Sequence, residues 1–242
     1  MELPLDYETL KIIWWGLVGI LLIGFAATDG YDLGTATLLP FIARTDRERR
    51  LVINAIAPTW EGHQVWLITG GGALFAAWPF VYAISFSGFY LAMFVVLAAL
   101  ILRPVGFKYR SKLESPKWRS SWDWALFVGG AVPALIFGVA LGNVLQGVPF
   151  SIDSTLRASY EGGLLGLLNP FGLLAGLVSV AMLVMHGAAY LGTKIEHGTV
   201  LDRAITVGRW AAVAMMALYA VAGVWLALGV AGFRIDGAID AG

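Results

Sequence analysis

The apolar residues of this 242-residue chain are gathered into separate long blocks, and that grouping constrains the fold more than any motif. One block, LITGGGALFAAWPFVYAISF, carries no charge from end to end. Runs of about 18 or more such residues mark helices that cross a lipid bilayer. Six are expected, near residues 10–28, 64–83, 86–103, 123–142, 167–189 and 207–230. At ~1.5 Å of rise per residue each reaches across a hydrocarbon core of ~30 Å, some with tilt or slight thinning. Strands are ruled out for these runs, because an isolated strand would leave its backbone groups unpaired in lipid. With 59% hydrophobic and 13% charged residues and a mean hydropathy of +0.77, the chain has too little polar material to clothe a soluble domain of this length. The expected fold is an all-α polytopic helical bundle, one transmembrane domain over residues 1–242.

Composition excludes several chemistries. There is no cysteine, hence no disulfide, thiolate metal site, iron–sulfur ligation or cysteine nucleophile. Formal net charge is zero and no basic block occurs, so no nucleic-acid partner is expected. The start, MELPLDYETLK, is acidic and lacks the basic region of a cleaved signal peptide, so the first apolar run is expected to be retained. The basic residues orient the bundle. The loop after span one holds Arg44, Arg47, Arg49 and Arg50; that after span three holds Arg103, Lys108, Arg110, Lys112, Lys117 and Arg119; that after span five holds Lys194, Arg203 and Arg209. Only Lys11, Arg157 and Arg234 fall on the other side. The positive-inside rule then puts the N-terminus outside and the odd-numbered loops in the cytoplasm.

Local signals refine the boundaries. Asn169-Pro170 reads as a helix N-cap followed by proline at the first helical position. Asp123, between Trp122 and Trp124, suits the interfacial start of span four. Gly70, Gly71 and Gly72 with Ala73, Ala76 and Ala77 offer a surface for close approach of another helix. GNVLQGVPFSIDSTLRASYEGG is the one sizeable external loop.

Topology places four charged groups at one depth. Asp29 and Asp32, in ATDGYDLG, fall at the cytoplasmic end of span one; Glu61, in PTWEGHQVW, at the start of span two; Arg103, in ILRPVGFKYR, at the end of span three. Ionisable groups at membrane depth are costly and tend to pair or to serve an ion pathway. Arg103 is a candidate partner for one aspartate, its fork matching a carboxylate. Glu61 is a candidate for proton exchange, although a carboxylate at a helix start is equally explained by the helix dipole. The aspartates at a helix end would oppose that dipole, which makes simple capping a poor account of them. Of the three histidines, His63 is interfacial, His186 lies near the cytoplasmic end of span five, and His197 is in a loop; no two face each other at matched depth, as paired haem ligands would. Trp66 and Trp78, inside span two, are either packing residues or cavity lining.

The segments IIWWGLVGILLIGFAATDGYDLG, RRLVINAIAPTWEGHQVWLITGGGALFAAWP, FSGFYLAMFVVLAALILRPVGFKYRSK, GNVLQGVPF and LLNPFGLLAG resemble, in order and over nearly the whole chain, subunit II of the cytochrome bd family of quinol oxidases. The resemblance implies a bacterial inner-membrane enzyme subunit of the aerobic respiratory chain, in a complex that oxidises quinol and reduces oxygen to water. It implies a heterodimer with subunit I, which ligates the haems b and d, and no haem on this chain. A structural quinone and a small accessory subunit occur within what the resemblance allows. Asp29 and Asp32 fall on the two acids of the family's TDG-x-D motif and Arg103 on the arginine of its RPVGF segment. Glu61 falls where many members have aspartate, on a proposed proton route from the cytoplasm towards the haems; Trp66 matches a tryptophan near a proposed oxygen route. Family members run to about eight spans against six here, so the chain is expected to lack two C-terminal helices beyond FRIDGAIDAG and to be inactive alone. Two other readings stay open on the residues themselves. In an ion-coupled transporter the four charged groups would bind substrate; in a purely structural assembly subunit they would move no protons.

Overall fold

In the computed structural model, which describes residues 6–154 and 158–229, the chain is almost wholly helical. Nine helices occur among these residues: α1 (Tyr7–Ile42), α2 (Asp46–Ile56), α3 (Trp60–Ala77), α4 (Pro79–Gly88), α5 (Tyr90–Tyr109), α6 (Pro116–Gln146), α7 (Leu164–Leu167), α8 (Pro170–Lys194) and α9 (Thr199–Gly229). Between α6 and α7, β1 (Phe150–Ile152) and β2 (Ala158–Tyr160) form a short antiparallel ribbon, with Phe150 opposite Tyr160. Five helices, α1, α5, α6, α8 and α9, are long and apolar enough to cross a membrane, and the protein is an all-α polytopic membrane protein. Arg157, Arg234 and the tail FRIDGAIDAG lie outside the described residues.

Span one departs from expectation. Rather than ending near residue 28, α1 continues to Ile42, 36 residues or about 54 Å in all. Most of its first half is exposed, while every residue from Asp32 to Leu39 is buried. A helix buried on all sides is a core helix, and the run LGTATLL, made of small and aliphatic residues, suits that place. Asp29 and Asp32 therefore lie inside a continuous helix, not at its end, and the dipole argument about them falls away.

Spans two and three are also redistributed. Proline disfavours helical geometry at the residue before it; Trp78, preceding Pro79, has φ −136° and ψ 73°, and α3 stops there. The chain restarts as α4 with Pro79 at its first position. At about 15 Å, α4 is too short to span, and a second break at Phe89 separates it from α5. Span four starts earlier than expected, at Pro116, so Asp123 lies two turns inside α6. Span five begins where its sequence signal lies: Asn169 Oδ1 accepts from the Gly172 N–H at 2.7 Å and Pro170 follows as the first helical residue.

The second half of α1 is the axis of the bundle, flanked chiefly by α6, α8 and α3. Without a hydrophobic force between helices in lipid, close approach of small residues holds them. A Cβ on Gly34 would stand 1.8 Å from the Leu183 carbonyl oxygen, and one on Gly187 2.4 Å from the Thr35 nitrogen, so α1 and α8 cross in backbone contact. The expected glycine surface at 70–72 makes no such contact: Gly70 meets only Leu21 and Leu22 side chains at 3.8 and 3.7 Å, and nothing lies within 4 Å of Gly72. On α5 the buried positions Ala92, Val96, Ala99, Leu100, Arg103 and Gly106 form one helical stripe against α6, which turns Arg103 inward.

Candidate functional site

Three helices converge on a buried ionic cluster. Asp29 and Asp32 lie one turn apart on α1, so their side chains share a face. Both are 0% exposed, as is Arg103 on the inward stripe of α5. Arg103 Nη1 and Nη2 donate to Asp29 Oδ2 and Oδ1 at 3.0 and 2.8 Å, the bidentate fork that suits a guanidinium to a carboxylate. The same Nη2 stands 3.7 Å from Asp32 Oδ2. Asp32 has a nearer partner on α3, where His63 Nδ1 lies 2.7 Å from Oδ2. The other ring nitrogen of His63, Nε2, is 3.1 Å from the Tyr31 hydroxyl. Tyr31 stacks on Tyr190 of α8 with ring centroids 3.8 Å apart, and Tyr190 in turn donates to the Ala55 carbonyl at 3.1 Å. The Trp60 ring lies 5.8 Å from the centre of the Arg103 guanidinium.

The periodicity of α3 decides which of its polar residues join. Trp60, His63, Gln64, Leu67 and Gly70 follow the helical repeat and are at least partly buried, whereas Glu61, Val65 and Ile68 are exposed. Glu61 thus stands in the first turn of α3 on its outward side and forms no ion pair among the described residues. Trp66 is also half-exposed, but its ring covers the α1 backbone, 2.7 Å from where a Cβ on Gly24 would be. Of the sequence-derived site residues, Asp29, Asp32 and Arg103 come together, while Glu61 and Trp66 stay outside the hydrogen-bonded cluster. His63 and Tyr31 belong to it as well; from the sequence His63 was placed only as an interfacial histidine, and Tyr31 was not singled out. The signal that could have found His63 is its spacing from Trp60 and Leu67.

The family described as cytochrome bd terminal oxidase subunit II matches residues 10–239. Cytochrome bd-I ubiquinol oxidase subunit 2 of Escherichia coli K12 is 55% identical over 236 residues, 98% of this chain and 62% of that protein. The probable cytochrome oxidase subunit 2 of Haemophilus influenzae is 56% identical over 222 residues, 92% of this chain and 58% of its own length. Cytochrome bd ubiquinol oxidase subunit 2 of Bacillus subtilis is 34% identical over 183 residues, 76% of this chain and 53% of its own length. The chain belongs to the cytochrome bd terminal oxidase subunit II family. It spans about three fifths of the length of the Escherichia coli and Haemophilus relatives.

Oxidases of the bd type carry haems, so the residues of this subunit II can be tested against one. His63 has both ring nitrogens engaged, by Asp32 and Tyr31. His186 packs edge-on to Tyr31, with Nδ1 3.6 Å from where a Cβ on Gly30 would be. His197 is exposed in the α8–α9 turn. The space lined by Thr35, Leu39, Val52, Ile56, Phe107 and Leu126 is packed too closely to admit even a water. His63 therefore has no ring nitrogen free for a haem iron, and the space beside Thr35 has no room for a macrocycle.

A second ionic network ties α2 to the α5–α6 junction of the bd subunit. Asp123 accepts from Arg110 Nε at 2.5 Å and from Arg49 at 2.7 Å; Asp46 accepts from Arg110 at 2.8 Å and from Arg119 at 3.0 Å. Burial pushes the Asp46 carboxyl up, but the hydrogen bond from Arg110 and the charges of Arg110, Arg119 and Arg50 outweigh it and hold the group below its ordinary value. Glu48 completes a capping box with Thr45 at the start of α2 and reaches Arg203 of α9 at 2.7 Å. The Arg203 bond, with the Arg44 and Thr45 N–H groups, lowers its carboxyl to about 2.

Proposed function

We propose that this chain serves as subunit II of a cytochrome bd-type quinol oxidase, packing against the haem-bearing subunit I in a bacterial inner membrane and carrying protons toward it from the cytoplasmic side. The complex oxidises quinol and reduces oxygen to water; this subunit ligates no haem and is inactive alone. The distribution of arginine and lysine supports a periplasmic N-terminus. The observation that carries the proton-handling role is the buried cluster of Asp29, Asp32, Arg103 and His63, linked by contacts of 2.7 to 3.7 Å. Burying two carboxylates costs several kcal/mol each unless paired, and one guanidinium does not balance two. In this reading Arg103 holds Asp29 as a fixed ion, Asp32 exchanges its proton, and Glu61 collects protons at the exposed start of α3. Trp66, apolar and half-exposed beside Gly24, lines an approach for oxygen on the outward side of the α1–α3 seam.

The test is co-expression with subunit I, followed by the reduced-minus-oxidised haem spectrum and quinol-driven oxygen uptake. Glu61→Gln and Asp32→Asn are each expected to assemble with an unchanged haem spectrum and to lose about a hundredfold in uptake, the low end of what removing a proton-transfer group costs. Normal uptake in both variants would reduce the subunit to a structural role.

A further inference from the structure

The charges of the buried cluster do not cancel. Asp29 and Asp32 supply two negative charges against the single positive charge of Arg103, all three side chains being 0% exposed. With every group in its ordinary ionised form the cluster carries a net charge of minus one, a costly state at membrane depth. One further proton removes the imbalance, and the geometry indicates where it goes. Asp29 is held as a carboxylate by two Arg103 bonds at 2.8 and 3.0 Å. Asp32 is held less firmly, since Arg103 stands 3.7 Å from Oδ2 and Oδ1 has no hydrogen-bond partner among the described residues. The one hydrogen-bonding partner of Asp32 among the described residues is His63 Nδ1 at 2.7 Å, a distance at which either partner can hold the proton.

Among the described residues no other group competes for the role. From α1, Tyr31 faces His63 as a neutral phenol; from α8, Tyr190 and His186 face Tyr31, not the carboxylates. From α5, Arg103 is a permanent cation. On α3 itself, Glu61 points outward. His63 is the cluster's outlet, its side chain 15% exposed where those of Asp29, Asp32 and Arg103 are sealed. Imidazole is also the side chain whose ordinary titration spans about pH 5 to 8.

We infer that Asp32 and His63 together store one exchangeable proton, with His63 as its exposed end. This deepens the proton-route reading and rests on it only for what the proton is used for. His63 is a relay residue in addition to Glu61, and it makes the charge of the cluster follow cytoplasmic pH.

The experiment uses the assembled complex and reads protonated carboxyl groups by infrared spectroscopy, with oxygen uptake measured beside it. In His63→Asn the amide still reaches Asp32 but cannot titrate, so the proton must move onto Asp32. A protonated-carboxyl band absent from the parent near neutral pH is expected to appear, and to vanish in the His63→Asn/Asp32→Asn double variant. The midpoint of the uptake pH profile is expected to shift by at least about one unit. The band decides: if His63→Asn shows none, the storage site is overturned. His63→Gln is the second variant, and failure of both to assemble would also overturn the proposal by making His63 structural. A band accompanied by normal uptake in Asp32→Asn and Glu61→Gln would keep the storage site and sink the proton route; no band with uptake lost in those variants would do the reverse.

Discussion

Asp32 stands between His63 Nδ1, 2.7 Å away, and Arg103, 3.7 Å away, while its neighbour Asp29 is gripped by Arg103 through two bonds. That asymmetry separates the roles of two acids only three residues apart. Removing one partner of a buried pair leaves an uncompensated charge and costs about 3–5 kcal/mol. Arg103→Ala is therefore expected to abolish recovery of the assembled complex from membranes. Replacing the pair by apolar residues of similar bulk, as in Arg103→Met/Asp29→Leu, removes both charges and is expected to restore most of the yield, because such replacements are often neutral. Immunoblotting of the purified complex checks both. A double variant as poorly recovered as Arg103→Ala would mean that the pair specifies the packing rather than merely balancing charge.

At the scale of elements, α1 does two jobs along one helix. Its first half is mostly exposed and its second half is surrounded, and the change occurs at the acids. The crossing with α8 depends on Gly34 and Gly187, where a Cβ would overlap the opposite backbone. Backbone cannot yield as a side-chain tip can, so Gly34→Ala is expected to cost at least the ~1–3 kcal/mol of an overpacked core and to lower the thermal midpoint of the detergent-solubilised complex. Gly72→Ala, with nothing within 4 Å, is the control and is expected to leave that midpoint unchanged. The cap of α8 is a milder case: Asn169→Ala removes the bond to Gly172 and is expected to cost about 1 kcal/mol.

At the scale of the whole molecule, ion pairs fasten the short α2 to α5, α6 and α9. Glu48 has its carboxyl lowered to about 2 by Arg203 and two backbone N–H groups, against an ordinary value of about 4.3. A group lowered on folding stabilises the folded state above its ordinary value and loses that contribution as pH falls toward its folded value; Asp46, also lowered, acts in the same direction. Thermal midpoints are thus expected to hold down to about pH 4.3 and to fall below it. Arg203→Ala should flatten that decline, with a loss near neutral pH of about 1 kcal/mol for a solvent-screened pair. Orientation is testable because the chain has no cysteine. Single cysteines at Ser111, after α5, and at Ser151, in β1, are expected to label from opposite sides of the membrane, Ser151→Cys from the periplasm. Labelling from one side would overturn the assigned topology.

The sequence by itself determined the class of fold, the family and most of the helical segments, because long apolar blocks and a cap such as Asn169-Pro170 act locally. It also marked Asp29, Asp32 and Arg103 as unusual through the cost of charge at membrane depth. Only the tertiary structure decided how these are used. That α1 runs on past its acids goes with α6 and α8 enclosing it, whereas the apolar run alone placed Asp29 and Asp32 at the end of the span. Pro79 offered a local sign of the break at Trp78, but an uninterrupted apolar run hid it. Arg103 chooses Asp29 over Asp32 across a separation of 74 residues. His63 becomes part of the site only because α3 turns that face toward α1 and Glu61 away from it. Contacts of that kind are set by which helix packs where, and spacing within any one segment does not contain them.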